Sequence, residues 1–157
     1  MALRLNTKAP DFTLKTADNK SFNLNAVLQN KSVVIFFYPK AFTRGCTKEA
    51  CSFRNDYAFF NKMDIEVVGI SHDSTDTLKK FQDSYILPYT LLSDPRRKVS
   101  ALYEAVYPFG FLTKRITYFI DKSGIIKAVY DDLIDAENHL KQIKMRIERL
   151  PQSAFTN

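Results

Sequence analysis

Cysteine is nearly absent from this chain: of 157 residues only Cys46 and Cys51 are cysteine. The chain is long enough to bury a core without disulfide or metal staples, so two cysteines point to redox or catalytic use rather than a structural bridge. Glycine and proline are also scarce, at 4 and 6 residues, which argues against a disordered chain. The longest apolar run, Val33 to Tyr38, is far short of a membrane span. Met1 to Asn6 has no apolar stretch of the kind a secretory signal needs. Repeats, linkers and low-complexity tracts are missing too. These absences lead us to expect a single soluble, cytoplasmic domain over residues 1–157, with 151–157 as a loose tail.

Positive charge is present but spread thinly. The net charge is +6, and its one modest concentration is Lys141, Lys144, Arg146 and Arg149, interrupted by Glu148 and sharing a helix with Ile143, Ile147 and Leu150. That pattern reads as a solvated helix face rather than a nucleic-acid surface, and no nucleic-acid motif accompanies it.

The apolar periodicity orders the rest. Phe12-Thr13-Leu14 and Phe22-Asn23-Leu24 alternate like short strands around the turn Asp18-Asn19-Lys20. Val33 to Tyr38 reads as a buried strand. Cys46, Ala50, Phe53, Tyr57 and Phe60 recur at steps of four and three, which predicts one helix from about Thr43 to Lys62. Ile65 to Ile70 is the next strand. Ser74 caps a helix carrying Leu78, Phe81 and Tyr85. Asp94-Pro95 opens another, with Val99, Leu102 and Val106 inward. Ile116–Ile120 and Ile125–Tyr130 form a hairpin across Asp121-Lys122-Ser123-Gly124. A final helix starts near Asp135 and buries Ala136, Leu140, Ile143, Ile147 and Leu150. Strand–helix–strand units imply parallel pairing and the hairpin adds antiparallel strands. The expected class is α/β, a thioredoxin-like fold: a central mixed sheet flanked by helices on both faces, with an N-terminal β-hairpin extension.

Both cysteines fall just after the buried strand, at the start of the predicted helix. Backbone N–H groups at a helix start favour thiolate over thiol, so Cys46 is a candidate nucleophile. Cys51 follows about one and a half turns later.

The segment Tyr38-Pro39-Lys40, Thr43 and Gly45-Cys46-Thr47-Lys48-Glu49-Ala50-Cys51-Ser52-Phe53-Arg54 closely resembles the active-site segment of peroxiredoxins. The subfamily is peroxiredoxin Q, also called bacterioferritin comigratory protein. Pro39, Thr43 and Cys46 reproduce its P-x-x-x-T-x-x-C spacing. The resemblance continues through Ala9-Pro10-Asp11-Phe12, Leu91-Leu92-Ser93-Asp94 and Arg115-Ile116-Thr117-Tyr118-Phe119-Ile120-Asp121. It departs at Arg44, commonly proline in the subfamily, and across Ala105 to Lys114.

The resemblance implies a thiol peroxidase. Cys46 would attack a hydroperoxide and become a sulfenic acid. Thr43, Arg115 and the Cys46 N–H would hold the peroxide oxygens, Glu49 would orient Arg115, and Pro39 would shape the loop and shield the sulfur. Cys51 would resolve the sulfenic acid as an intrachain disulfide, which thioredoxin or a similar dithiol would reduce. Five residues on an ideal helix put the two Cα atoms roughly 8.7 Å apart, beyond the about 7 Å a disulfide allows. Forming the bond would therefore unwind the turns between them. No cofactor is implied, no nucleic-acid or membrane partner is expected, and an intrachain resolving cysteine lets a monomer complete the cycle.

Other readings explain less. Cys46, Cys51, His72 and His139 lack the paired spacing of a zinc module. A thioredoxin-type oxidoreductase needs Cys-x-x-Cys, whereas here four residues intervene. His72, after a buried strand, and His139, in the last helix, read as structural or exposed.

Overall fold

The computed structural model describes residues 2–109, 112–151 and 155. Seven strands form one open sheet in the order β2-β1-β5-β4-β3-β6-β7. They are β1 (Thr13–Thr16), β2 (Ser21–Asn23), β3 (Ser32–Phe37), β4 (Ile65–Ser71), β5 (Thr90–Ser93), β6 (Ile116–Ile120) and β7 (Ile126–Asp131). The three central strands β3, β4 and β5 are parallel, and β6 and β7 continue antiparallel beyond β3. The expected N-terminal hairpin is present, and its β1 pairs antiparallel with β5, so it extends the main sheet.

Every residue of β3 is buried, the signature of a parallel strand covered on both faces. Its alternate side chains enter two cores. Val34 and Phe36, with Tyr38, face α2 (Arg44–Asn55), α3 (Tyr57–Lys62), α4 (Thr75–Tyr85) and α6 (Asn138–Glu148). Val33, Ile35 and Phe37 face α1 (Leu24–Leu28) and α5 (Lys98–Leu102), together with Phe12, Phe22 and Tyr103. Phe36 stacks on Phe53 at 4.7 Å between centroids, which fastens α2 to the sheet.

Four local expectations change. The helix expected over 43–62 is two helices, broken at Asp56 (φ −106°, ψ 16°); Asn55-Asp56 is a weak helix-forming pair, and the break still lets Phe60 meet Phe53 in the core. Leu24 is not in a strand: Asn23, in an extended conformation, accepts from the Ala26 N–H and caps α1, which sequence periodicity did not predict. Asp94-Pro95 does not open a helix. Asp94 reaches further, accepting from the N–H groups of Val99 and Ser100, and α5 starts at Lys98 after a left-handed Arg97. Leu102 is consequently exposed, Val106 lies outside the helix bridged to Thr113, and Tyr103 takes the inner position. The last helix begins at Asn138 because the Asp132 side chain accepts from the N–H groups of Ile134 and Asp135, holding a turn there first.

Of the tail expected to be loose, Pro151 and Phe155 are described, and Phe155 packs on Phe119; the other residues of 152–157 lie outside the described residues. The basic face of α6 is partly engaged by its own chain. Lys144 pairs with Asp56 at 3.6 Å, and Arg146 covers the Tyr130 ring and donates to the Val129 carbonyl.

Candidate active site

The site lies where β3 runs out of the sheet. Tyr38 still donates to the Ile70 carbonyl, and the chain then turns through Pro39 to Phe42. The loop is pinned from below: the Ala41 N–H donates to Asp73 Oδ2 at 2.7 Å, and Ser71 Oγ donates to the same oxygen. Phe42 has φ 67°, a left-handed conformation that costs a residue with a Cβ, and its ring rests on Phe81.

Thr43 is the extended residue before α2, yet its side chain does not cap the helix. Its hydroxyl donates instead to the Lys40 carbonyl at 2.8 Å, so the oxygen lone pairs stay free to accept. Arg44 is exposed at the first helical position. Cys46 is the third residue of α2, so its N–H lies among those with no carbonyl behind them. The Cys46 residue is 1% exposed; Cys51 is half-buried, off the inner stripe, and both are free thiols.

Arg115, one residue before β6, reaches under the first turn of α2. Its Nη1 donates to Cys46 Sγ at 3.4 Å and to Glu49 Oε1 at 2.8 Å, while Nε donates to the Leu133 carbonyl. Glycine at 45 makes room, since a Cβ there would lie 3.2 Å from Arg115 Nη2. Burial disfavours the charged guanidinium, but Glu49 and Cys46 together raise its pKa above the usual value. Burial pushes Glu49 up to about 8 despite Arg115 beside it.

Thus Cys46, Thr43, Glu49, Pro39 and Arg115 come together around one loop and one helix start, and Cys51 lies on the same helix. Two further contributors were not predicted from sequence. Asp73 follows β4 and holds the loop. His139 on α6 is fully buried behind Glu49, with Nδ1 3.6 Å from Glu49 Oε2. Its one sequence signal was its place on the apolar stripe before Leu140. His72 stands apart, half-buried after β4. Among the described residues no three His, Cys, Asp or Glu side chains cluster to hold a metal ion, and no helix is long and apolar enough to cross a membrane.

The AhpC/TSA family model matches residues 5–129. The chain belongs to that family, within its peroxiredoxin Q group. Peroxiredoxin Q of Suaeda salsa is 42% identical over 134 residues, covering 85% of this chain and 62% of the relative. Peroxiredoxin Q of Sedum lineare is 41% identical over 142 residues, covering 90% of this chain and 76% of the relative. Both relatives are named chloroplastic. The crystal structure of peroxidoxin BcpB from Mycobacterium tuberculosis superposes with a TM-score of 0.89 at 30% identity, covering 96% of this chain and 99% of that one. Membership in the group and the thioredoxin-like mixed sheet agree with what the sequence motifs implied.

Proposed function

We propose that this protein is a thiol peroxidase that reduces hydrogen peroxide and organic hydroperoxides. The observation that carries the reading is Arg115 Nη1 bound to Cys46 Sγ at 3.4 Å, with Cys46 in the first turn of α2. A cation and a helix N-terminus both favour the thiolate, which is the nucleophile. The thiolate attacks one peroxide oxygen, the O–O bond breaks, and the leaving oxygen takes a proton to become water or an alcohol. Cys46 is left as a sulfenic acid. Thr43, through its free lone pairs, orients the peroxide O–H, while Arg115 and the Cys46 N–H stabilise charge on the oxygens as the bond breaks.

Cys51 then attacks the sulfenic sulfur, a disulfide forms and water leaves. Both cysteines lie inside α2, so this step requires the turns between them to open. An external dithiol of the thioredoxin type returns the pair to thiols by exchange. A reducing compartment such as the cytoplasm supplies that dithiol, and a single chain carries both sulfurs, so a monomer suffices.

The test is a thiol count and intact mass before and after one equivalent of hydrogen peroxide. Rapid loss of both thiols with a decrease of ~2 Da on one chain is expected. Retention of both thiols would show Cys46 to be inert and end the peroxidase reading.

A further inference from the structure

Cys46 and Cys51 share α2, so a disulfide needs their Cα atoms to close by about 2 Å or more. The contacts around the helix decide where the chain can give. Arg115 Nη1 binds Cys46 Sγ at one end of the first stretch and Glu49 Oε1 at the other, so residues 46–49 are tied to one buried guanidinium. Downstream, Phe53 stacks on Phe36, and Arg54 Nη1 donates to the Tyr85 carbonyl at 2.8 Å. Opening the first hold would leave a buried charge unpaired, and opening the second would empty part of the core. Residues 50–52, between the two, carry a lighter hold.

That hold is Tyr89, the residue before β5. Its hydroxyl donates to the Ala50 carbonyl at 2.6 Å, and both residues are buried. The Ala50 carbonyl belongs to the planar peptide unit that ends at the Cys51 nitrogen, so moving Cys51 against a packed Ala50 swings this carbonyl. Tyr89 cannot follow it. Gln82 Nε2 on α4 donates to the Tyr89 carbonyl at 2.9 Å, and the ring is packed edge-on against Phe36 and beside Tyr57. Its hydroxyl has no second hydrogen-bond partner among the described residues, so releasing Ala50 leaves a buried donor unmet. The Ala50 carbonyl, by contrast, keeps a partner in the helix ladder.

We propose that Tyr89 is a positioning residue for the resolving step: its hydroxyl holds the Ala50–Cys51 peptide in the helix, and Cys51 reaches the Cys46 sulfenic sulfur only when that bond is given up. This inference deepens the peroxidase reading and rests on it. The hold slows disulfide formation without touching the attack on peroxide, because Tyr89 meets α2 at Ala50 and not at Cys46. It therefore lengthens the life of the sulfenic acid. During that time a second peroxide can react at the same sulfur: its O–O bond breaks, one oxygen goes to sulfur to give the sulfinic acid, and water leaves.

Quenched-flow intact mass tests this on reduced parent, Tyr89→Phe and Tyr118→Phe mixed with hydrogen peroxide. The first step adds one oxygen at a rate that depends on peroxide concentration; the second sheds water at a rate that does not. Tyr89→Phe is expected to leave the first rate unchanged, to raise the second about fivefold, and to lower the sulfinic fraction in excess peroxide by a similar factor. Tyr118→Phe removes an equally short bond, to the Tyr103 carbonyl at 2.6 Å, in the other core, and is expected to match the parent. An unchanged second rate in Tyr89→Phe overturns the proposal. So does an equal rise in Tyr118→Phe, which would mean a general loosening of the fold. Hydrogen exchange on the reduced proteins gives a reading that needs no peroxide. The amides of residues 50–52 are expected to exchange about fivefold faster in Tyr89→Phe, with those of β3 unchanged; equal exchange at 50–52 overturns the proposal. Oxidation of the parent with no change in Tyr89→Phe would sink this proposal alone. No oxygen uptake by any of the three would sink the peroxidase reading, and the exchange rates would then decide the hold of Tyr89 on α2 by themselves.

Discussion

Glu49→Gln is expected to make the protein acid-sensitive over a pH range where the parent is not. In the fold Glu49 is pushed up to about 8 from an ordinary 4.5, and His139 down to about 4 from an ordinary 6.5. The stability linked to Glu49 is fully present below pH 4.5 and is lost as the pH rises through about 8. The stability linked to His139 is present above pH 6.5 and is lost as the pH falls toward 4. Between 4.5 and 6.5 folding takes up a proton at Glu49 and releases one at His139, so the two slopes cancel. Glutamine cannot titrate, which leaves the His139 slope of about 1.4 kcal/mol per pH unit exposed. Over that window the variant should lose about 2.7 kcal/mol relative to the parent. With a urea m-value of about 2 kcal/mol/M, its midpoint should fall by about 1.4 M more than the parent's. Urea unfolding of reduced protein at three pH values across the window measures this, and comparison with the parent cancels the other carboxylates. His139→Phe should show the opposite slope. Parallel stability curves for parent and Glu49→Gln would refute the reasoning, because they would mean that the fold does not hold one extra proton at Glu49.

Four other outcomes are expected. Arg115→Met removes the one donor shared by Cys46 and Glu49, so the second-order rate with hydrogen peroxide should fall by about 10²–10³, read by stopped flow; a change below about threefold would remove Arg115 from the chemistry. Hydrogen exchange across residues 44–56 should be faster in the oxidised protein than in the reduced one, whereas equal protection would exclude unwinding of α2. In the core, Phe53→Ala should cost about 3–5 kcal/mol in chemical denaturation because Phe53 is fully buried against Phe36. Gly69→Ala should cost about 1–3 kcal/mol, since a Cβ there would lie 2.7 Å from Phe36 Cζ and 3.0 Å from Leu91 Cδ2; neutrality at either position would contradict the tight packing around Phe36.

Local physics was legible wherever the signal is periodic or local. The unbroken apolar run of β3, the four-and-three spacing of Cys46, Ala50 and Phe53, and the Ser74 cap are each read within a few residues, and each is found. The resemblance of the segment around Pro39, Thr43 and Cys46 carried the family. Boundaries set by long-reaching side chains were not legible. Asp94 skips its nearest N–H groups to reach Ser100, and Asp132 holds a turn that delays α6. Both choices depend on where the neighbouring backbone lies, which propensity does not encode.

The same division runs through the site. By itself the sequence determined that two sulfurs share a helix start after a buried strand, because chain neighbours cannot be far apart. It named Arg115 and Glu49 only through resemblance, since a separation of 66 positions carries no distance information. Only the tertiary structure decided that Arg115 bridges Cys46 and Glu49, that Asp73 pins the loop at Ala41, and that His139 lies behind Glu49. These contacts join β3, β4, β6, α2 and α6 at one end of the central strands. Burial there, rather than residue type, sets Glu49 and His139 far from their ordinary protonation ranges, and burial belongs to the folded chain alone.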